Sequence, residues 1–208
     1  RYGEHFKVDG RVNQTFPGPN GPVATQHLLS APNQPNPFQG CGHPDPGHGW
    51  IAGRAERDLG FLAPASGNDE FALGYYRGAD LPFTANLARR FTVCDNSHAS
   101  LLGPTFPNRF YLHSAQSNGR KDNAIPTAAF DWATIWDRLD AAGVPAAYYA
   151  SDLPFVALWG ARLAPFTRSI NDYFTDCAAG TLPNVTFIDP AFLGAGENDD
   201  HPLADDQW

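Results

Sequence analysis

Ser169-Ile-Asn-Asp-Tyr-Phe-Thr-Asp-Cys-Ala-Ala-Gly180-Thr-Leu-Pro-Asn-Val185-Thr-Phe-Ile188 reads as a helix, a glycine stop and a strand. Ile170, Tyr173, Phe174 and Cys177 recur at three- and four-residue spacing, which gathers them on one helical face. Gly180 is the residue type best able to close a helix in a left-handed turn. Residues 185–188 then form a short apolar run rich in β-prone side chains. Upstream the same order recurs. Trp132, Ile135, Trp136 and Leu139 predict an amphipathic helix over 131–143, stopped by Gly143, and a strand follows over Ala146–Ala150. Further toward the N-terminus, 81–90 reads as a helix opened by Pro82 and 91–94 as a β-prone strand, with a second helix running from Gly103-Pro104-Thr105 to about Ala115. Alternating helices and strands predict an α/β fold with a largely parallel sheet.

Residues 1–49 have a different texture. Pro17, Pro19, Pro22, Pro32, Pro35, Pro37, Pro44 and Pro46 lie among Gly and Asn, a spacing that disfavours helix and central strand and predicts a long loop region. The α/β core portion is expected over 50–208. No repeat, low-complexity tract or linker divides the chain. With 208 residues it reads as one large domain or a piece of a larger one.

Composition narrows the function. Residues of the apolar class make up 42% of the chain, with 15 Phe, 7 Tyr and 5 Trp, enough for a packed core. The net charge is −8, and the only basic pairs are Arg89-Arg90 and Arg120-Lys121, so a nucleic-acid partner is disfavoured. Residues 153–166 form the longest apolar stretch, and Gly160 and Arg162 interrupt it well short of the roughly 20 residues a spanning helix needs, so no transmembrane segment is expected. The chain starts at Arg1 with no leader pattern, which predicts either a removed targeting segment or a start inside a longer protein. Cys41, Cys94 and Cys177 make no C-x-x-C pair; buried free thiols are the default expectation, and a Cys41–Cys177 disulfide stays open for an exported protein.

The chemistry concentrates in Phe91-Thr-Val-Cys-Asp-Asn-Ser-His-Ala-Ser-Leu-Leu-Gly-Pro-Thr105-Phe-Pro-Asn-Arg109. Here a loop becomes a helix at a hydroxyl. A helix start offers free backbone N–H groups and the positive end of the dipole, and both suit a phosphate dianion. Thr105 could attack phosphorus were its hydroxyl activated; alternatively it only caps the helix. A G-x-S-x-G elbow, a Walker A loop and a G-x-G-x-x-G fingerprint are all missing.

The segment Gly103-Pro-Thr-Phe-Pro-Asn-Arg109, following 91–96, resembles the nucleophile motif of the bacterial phosphoesterase family that contains non-haemolytic, phosphatidylcholine-type phospholipases C and a related acid phosphatase. Gly74-Tyr-Tyr-Arg-Gly-Ala-Asp-Leu-Pro-Phe83, Thr134-Ile-Trp-Asp-Arg-Leu-Asp-Ala-Ala-Gly143 and Tyr148-Tyr-Ala-Ser-Asp-Leu-Pro154 match it in order. Ala178-Ala-Gly-Thr-Leu-Pro183, Phe187-Ile-Asp-Pro-Ala-Phe-Leu193 and Asn198-Asp-Asp-His-Pro202 do so as well, so the resemblance covers about 42–208.

This resemblance implies an incomplete alkaline-phosphatase-like sandwich with helices on both faces of the sheet. It implies hydrolysis of phosphate esters, above all phospholipase C cleavage of phosphatidylcholine-like lipids, in a periplasmic or extracellular protein. By position Thr105 would be the nucleophile and a ligand of a divalent metal ion. His48 and His201 would contact the phosphoryl group or protonate the leaving oxygen, and Asn108 and Arg109 would bind phosphate oxygens, although Arg109 could instead pair with a carboxylate. Asp200 would be a weaker supporting residue. The family's upstream Glu-Asn-x-Ser-Phe-Asp and downstream Asp-Glu-x-Gly metal motifs are absent, so the 208 residues alone are expected to hold metal poorly and to be nearly inactive. An acid phosphatase and a catalytically silent phosphate-binding domain are the alternatives, and oligomeric state is not legible.

Overall fold

The computed structural model describes residues 14–28 and 43–192. The chain falls into two compact units, Arg1–Pro104 and Thr105–Trp208.

The first unit carries a hairpin of β1 (Thr15–Gly18) and β2 (Gly21–Ala24), in which Gly18 pairs with Gly21. Strand therefore occurs where the proline pattern predicted loop. The conflict is small, because a two-stranded hairpin consists of edges alone and Pro17 and Pro22 can face outward. Next come β3 (Gln26–His27), helix α1 (Trp50–Leu59), β4 (Gly74–Tyr75), which pairs in parallel with β3, and α2 (Pro82–Arg90). Helix α2 begins at Pro82 as expected, since a proline in the first turn gives up no helical hydrogen bond. The strand expected over 91–94 does not form. These residues are exposed, Phe91 by 69%, and pair with no strand among the described residues, and β-propensity needs a neighbouring strand to express itself.

The second unit holds helix α3 (Thr105–Ser114), α4 (Ile135–Ala141), β5 (Ala146–Ala150), β6 (Thr167–Ser169), α5 (Ile170–Ala179) and β7 (Val185–Asp189). Its sheet is parallel throughout, in the order β6-β5-β7, with Tyr148 beside Thr167 on one side and Phe187 on the other. The chain is thus an α/β protein with a parallel sheet, although the sheet is small. The central strand β5 is buried on both faces, as a near-continuous apolar run requires.

Two helix starts are set by capping boxes. Thr134 accepts from the Asp137 N–H while its own N–H donates to the Asp137 carboxylate at 2.6 Å; α4 therefore starts at Ile135, four residues later than periodicity predicts. Trp132, placed in the helix by that reading, lies before it and stacks on Phe130 at 4.1 Å. Ser169 and Asp172 repeat the device on α5, and Gly180 closes it at φ 68°. The predicted apolar face of α5 is only partly covered: Ile170 and Tyr173 are half-buried, Tyr173 meeting Tyr149 edge to face, while Phe174 is exposed by 62%. Cys94 and Cys177 are free and exposed, which corrects the expectation of buried thiols; Cys41 lies outside the described residues.

The core of this unit is aromatic. Phe110, Phe130, Trp136, Tyr148, Phe155 and Trp159 pack with Val156 and Leu163, and Phe110 meets Phe130 and Trp159 edge to face. Each buried ring is worth about 1.5–3 kcal/mol from area alone. Phe106 and Phe110 carry α3 onto this cluster through Phe155, so burial fixes the helix from one side.

Candidate active site

Thr105 is the first residue of α3, preceded by Pro104 and followed two positions later by Pro107. Both prolines sit where the missing N–H costs a helix nothing. Thr105 is partly exposed and is the first helical residue rather than the cap. The first turn offers fewer donors than its position predicts. Pro107 has none, and the Phe106 N–H donates to Asn123 Oδ1 at 2.8 Å. Asn123 thus supplies a cap from 17 residues away, a pairing that local spacing cannot reveal.

Arg109 lies one turn beyond Thr105 on the same face of α3, and Asn108 precedes it. The Arg109 Nη2 donates to Asp189 Oδ1 at 2.5 Å and to Tyr148 Oη at 3.1 Å, while the Tyr148 hydroxyl donates to Asp189 Oδ2. Both oxygens of a carboxylate that is 1% exposed are used in this way. Phe155 and Phe192 place their rings 4.6 and 4.8 Å from the guanidinium carbon. Among the described residues the buried Arg109 Nε has no hydrogen-bond partner. Of the two roles open to Arg109 in the sequence, the carboxylate pairing is formed.

Strand register explains this constellation. Tyr148 is level with Phe187, stacked on it at 5.0 Å, and Asp189 lies two residues on and so on the same sheet face. Asp189 ends β7, at the carboxyl edge of the parallel sheet, where α/β folds place their sites. The sequence reading missed Asp189 and Tyr148; the available signal was an apolar strand ending in a lone aspartate.

His113, one further turn along α3, is buried among Trp136, Tyr148, Phe155, Trp159 and Phe187. Burial, and then the nearby Arg109 charge, pull its pKa down to about 4. Burial raises the Tyr148 phenol far above its ordinary value, and the Asp189 carboxylate adds to this, so Tyr148 stays protonated and can donate.

His48 belongs to the first unit, next to Gly49, the N-cap of α1. Its Nδ1 lies 2.8 Å from the Pro46 carbonyl oxygen and 3.7 Å from Asp45 Oδ2. A carbonyl can only accept, so Nδ1 carries the proton and the lone pair of the neutral ring resides on Nε2. Gly47 holds the segment in place. Its N–H donates to Asn68 Oδ1 at 2.6 Å, and a Cβ there would collide with the Ser66 carbonyl. His43 pairs through Nδ1 with Asp69 at 2.7 Å and stacks on Phe71, a structural role. His201 and Asp200 lie outside the described residues.

A divalent cation at Thr105 would need several hard ligands. Among the described residues no group of three or more His, Cys, Asp or Glu side chains could hold a metal ion, so these residues do not fit a cation site by themselves. Among them, too, no helix is long and apolar enough to cross a membrane.

Thr105, Asn108 and Arg109 therefore share one helical turn braced against the carboxyl edge of a parallel sheet. Curated relatives of this chain are phospholipases C. Non-specific phospholipase C5 of Arabidopsis thaliana is 31% identical over 179 residues, covering 79% of this chain and 33% of its own. Non-hemolytic phospholipase C of Pseudomonas aeruginosa is 27% identical over 201 residues, covering 82% and 28%. Phospholipase C B of Mycobacterium tuberculosis is 29% identical over 189 residues, covering 72% and 36%. The chain spans about a third of the length of these relatives. The phosphoesterase family profile matches residues 2–208, and with that extent of agreement the chain belongs to the phosphoesterase family.

Proposed function

We propose that the full-length protein hydrolyses phosphate esters, with phospholipase C cleavage of phosphatidylcholine-like phosphodiesters as its reaction, and that residues 1–208 form part of that phosphoesterase domain. The observation that carries this reading is Thr105 at the first position of α3, with Arg109 one turn behind it and held at a strand terminus. The Thr105 hydroxyl gives up its proton to a base as its oxygen attacks phosphorus. The bond from phosphorus to the glyceride oxygen breaks, and that oxygen takes a proton to leave as the diglyceride. Water then attacks the threonyl phosphodiester, releases the phosphorylated head group and returns the hydroxyl. We assign the proton transfers to His48, whose Nε2 has the lone pair, and to His201. Asn108 and Arg109 are assigned to the phosphoryl oxygens. The phospholipase C relatives support the phosphodiester class. Family resemblance alone carries the export and the divalent cation at Thr105.

The test is Thr105→Ala in the full-length protein, assayed with phosphatidylcholine across a titration of divalent metal. Turnover is expected to fall by about 10³-fold or more. Turnover at the wild-type level at every metal concentration would remove Thr105 from the mechanism. Running p-nitrophenyl phosphate beside the lipid separates a phosphomonoesterase from a phospholipase.

A further inference from the structure

We infer that Asp189 and Tyr148 are positioning residues of the phosphoryl-transfer site, holding the Arg109 guanidinium, and through it the first turn of α3, in register with Thr105. The inference deepens the nucleophile reading above and rests on it.

Arg109 is tied at one nitrogen. Nη2 alone meets both the Asp189 carboxylate and the Tyr148 hydroxyl, while Phe155 and Phe192 flank the guanidinium plane. The side chain keeps 16% exposure, so a tethered cation retains an accessible edge. A helical side chain leans toward the N-terminus of its helix, which carries that edge toward the turn bearing Thr105. Among the described residues the buried Nε has no hydrogen-bond partner, so the ion pair leaves the guanidinium incompletely satisfied.

The competing account is a plain structural salt bridge. Stability argues poorly for it, because desolvating a carboxylate and a guanidinium cancels much of their attraction, and an apolar pair at such a position commonly does as well. Position argues against it too. The pair joins the last residue of β7 to the first turns of α3, at the edge of the sheet where ligands bind in α/β proteins. The chemistry is that of a phosphate ester. The carboxylate keeps the guanidinium from swinging out to collapse on a bound phosphate, so the cation is aimed before substrate arrives.

The experiment uses the full-length enzyme with Asp189→Asn and Tyr148→Phe. It measures kcat on phosphatidylcholine micelles, inhibition by inorganic phosphate and thermal unfolding. Asp189→Asn is expected to lower kcat by about 10²-fold, the scale of a catalytic group set slightly out of line. Phosphate inhibition is expected to stay as strong or strengthen, because removing the carboxylate unmasks the Arg109 charge. A kcat reduced by less than about tenfold, or phosphate inhibition that weakens, overturns the inference, since a merely structural lesion degrades both together. Tyr148→Phe keeps the ring against Phe187 and decides the matter should the aspartate variant fail to fold: a fall of about tenfold is expected, and wild-type turnover overturns the inference. Thr105→Ala runs in parallel. Normal turnover there removes the nucleophile reading, while phosphate inhibition of Asp189→Asn still reports whether the pair governs the hold of Arg109 on an anion.

Discussion

The two units of the chain handle their apolar residues in opposite ways. In the second, the buried set is dominated by large rings, among them Phe110, Trp136, Tyr148, Tyr149 and Trp159, all 2% exposed or less. In the first, the described buried apolar residues are only Leu and Ala, namely Leu28, Ala55, Leu62, Ala63, Leu73 and Ala85, while Ile51, Phe83 and Phe91 stay exposed. Thr105 and Arg109 therefore stand on a helix fixed by burial, whereas His48 stands on a loop fixed by hydrogen bonds to Asn68 and the Pro46 carbonyl. A nucleophile gains from a support that resists displacement, and an acid–base group can tolerate one that adjusts.

The sharpest way to break this comparison is to damage the aromatic core. Trp159→Ala should destabilise the second unit by about 3–5 kcal/mol through lost burial and a cavity, as read by chemical denaturation with near-ultraviolet circular dichroism. A loss under about 1 kcal/mol would mean that the rings do not brace α3.

A second test uses acid. The His113 pKa is lowered from its ordinary 6.5 to about 4, so the unfolded chain takes up a proton at a pH where the folded one does not. Stability should be unaffected by this group above about pH 6.5. It should decline as pH falls toward 4, by up to about 3 kcal/mol. His113→Phe should flatten that part of the pH dependence in denaturation curves, and an unchanged slope would place the acid sensitivity elsewhere. A smaller effect belongs to the caps: Thr134→Ala should cost about 1 kcal/mol by leaving the Asp137 N–H without its acceptor. Thermal unfolding would measure it, and a neutral result would mean that packing of Trp136 alone sets the start of α4.

Much of this was legible in the chain itself. The helix starts at Pro82 and Thr105, the stop at Gly180 and the strands over 146–150 and 185–188 follow from local rules of proline, glycine and apolar periodicity, and the structure keeps them. Expectations that depended on distant partners fared worse. Residues 91–94 have strand composition but no strand to pair with among the described residues, Trp132 left the helix that its spacing predicted, and the thiols at 94 and 177 found no interior. The site shows the same boundary. Thr105, Asn108 and Arg109 could be named because they adjoin in sequence.

Residue order by itself determined the family, the α/β alternation and the single turn that carries the proposed nucleophile, since all three are written in short-range pattern. Only tertiary structure decided that Arg109 is met by Asp189, 80 positions away, and Phe106 by Asn123. Those partners are chosen by strand register and helix packing, which compare free energies across the whole unit and leave no local trace.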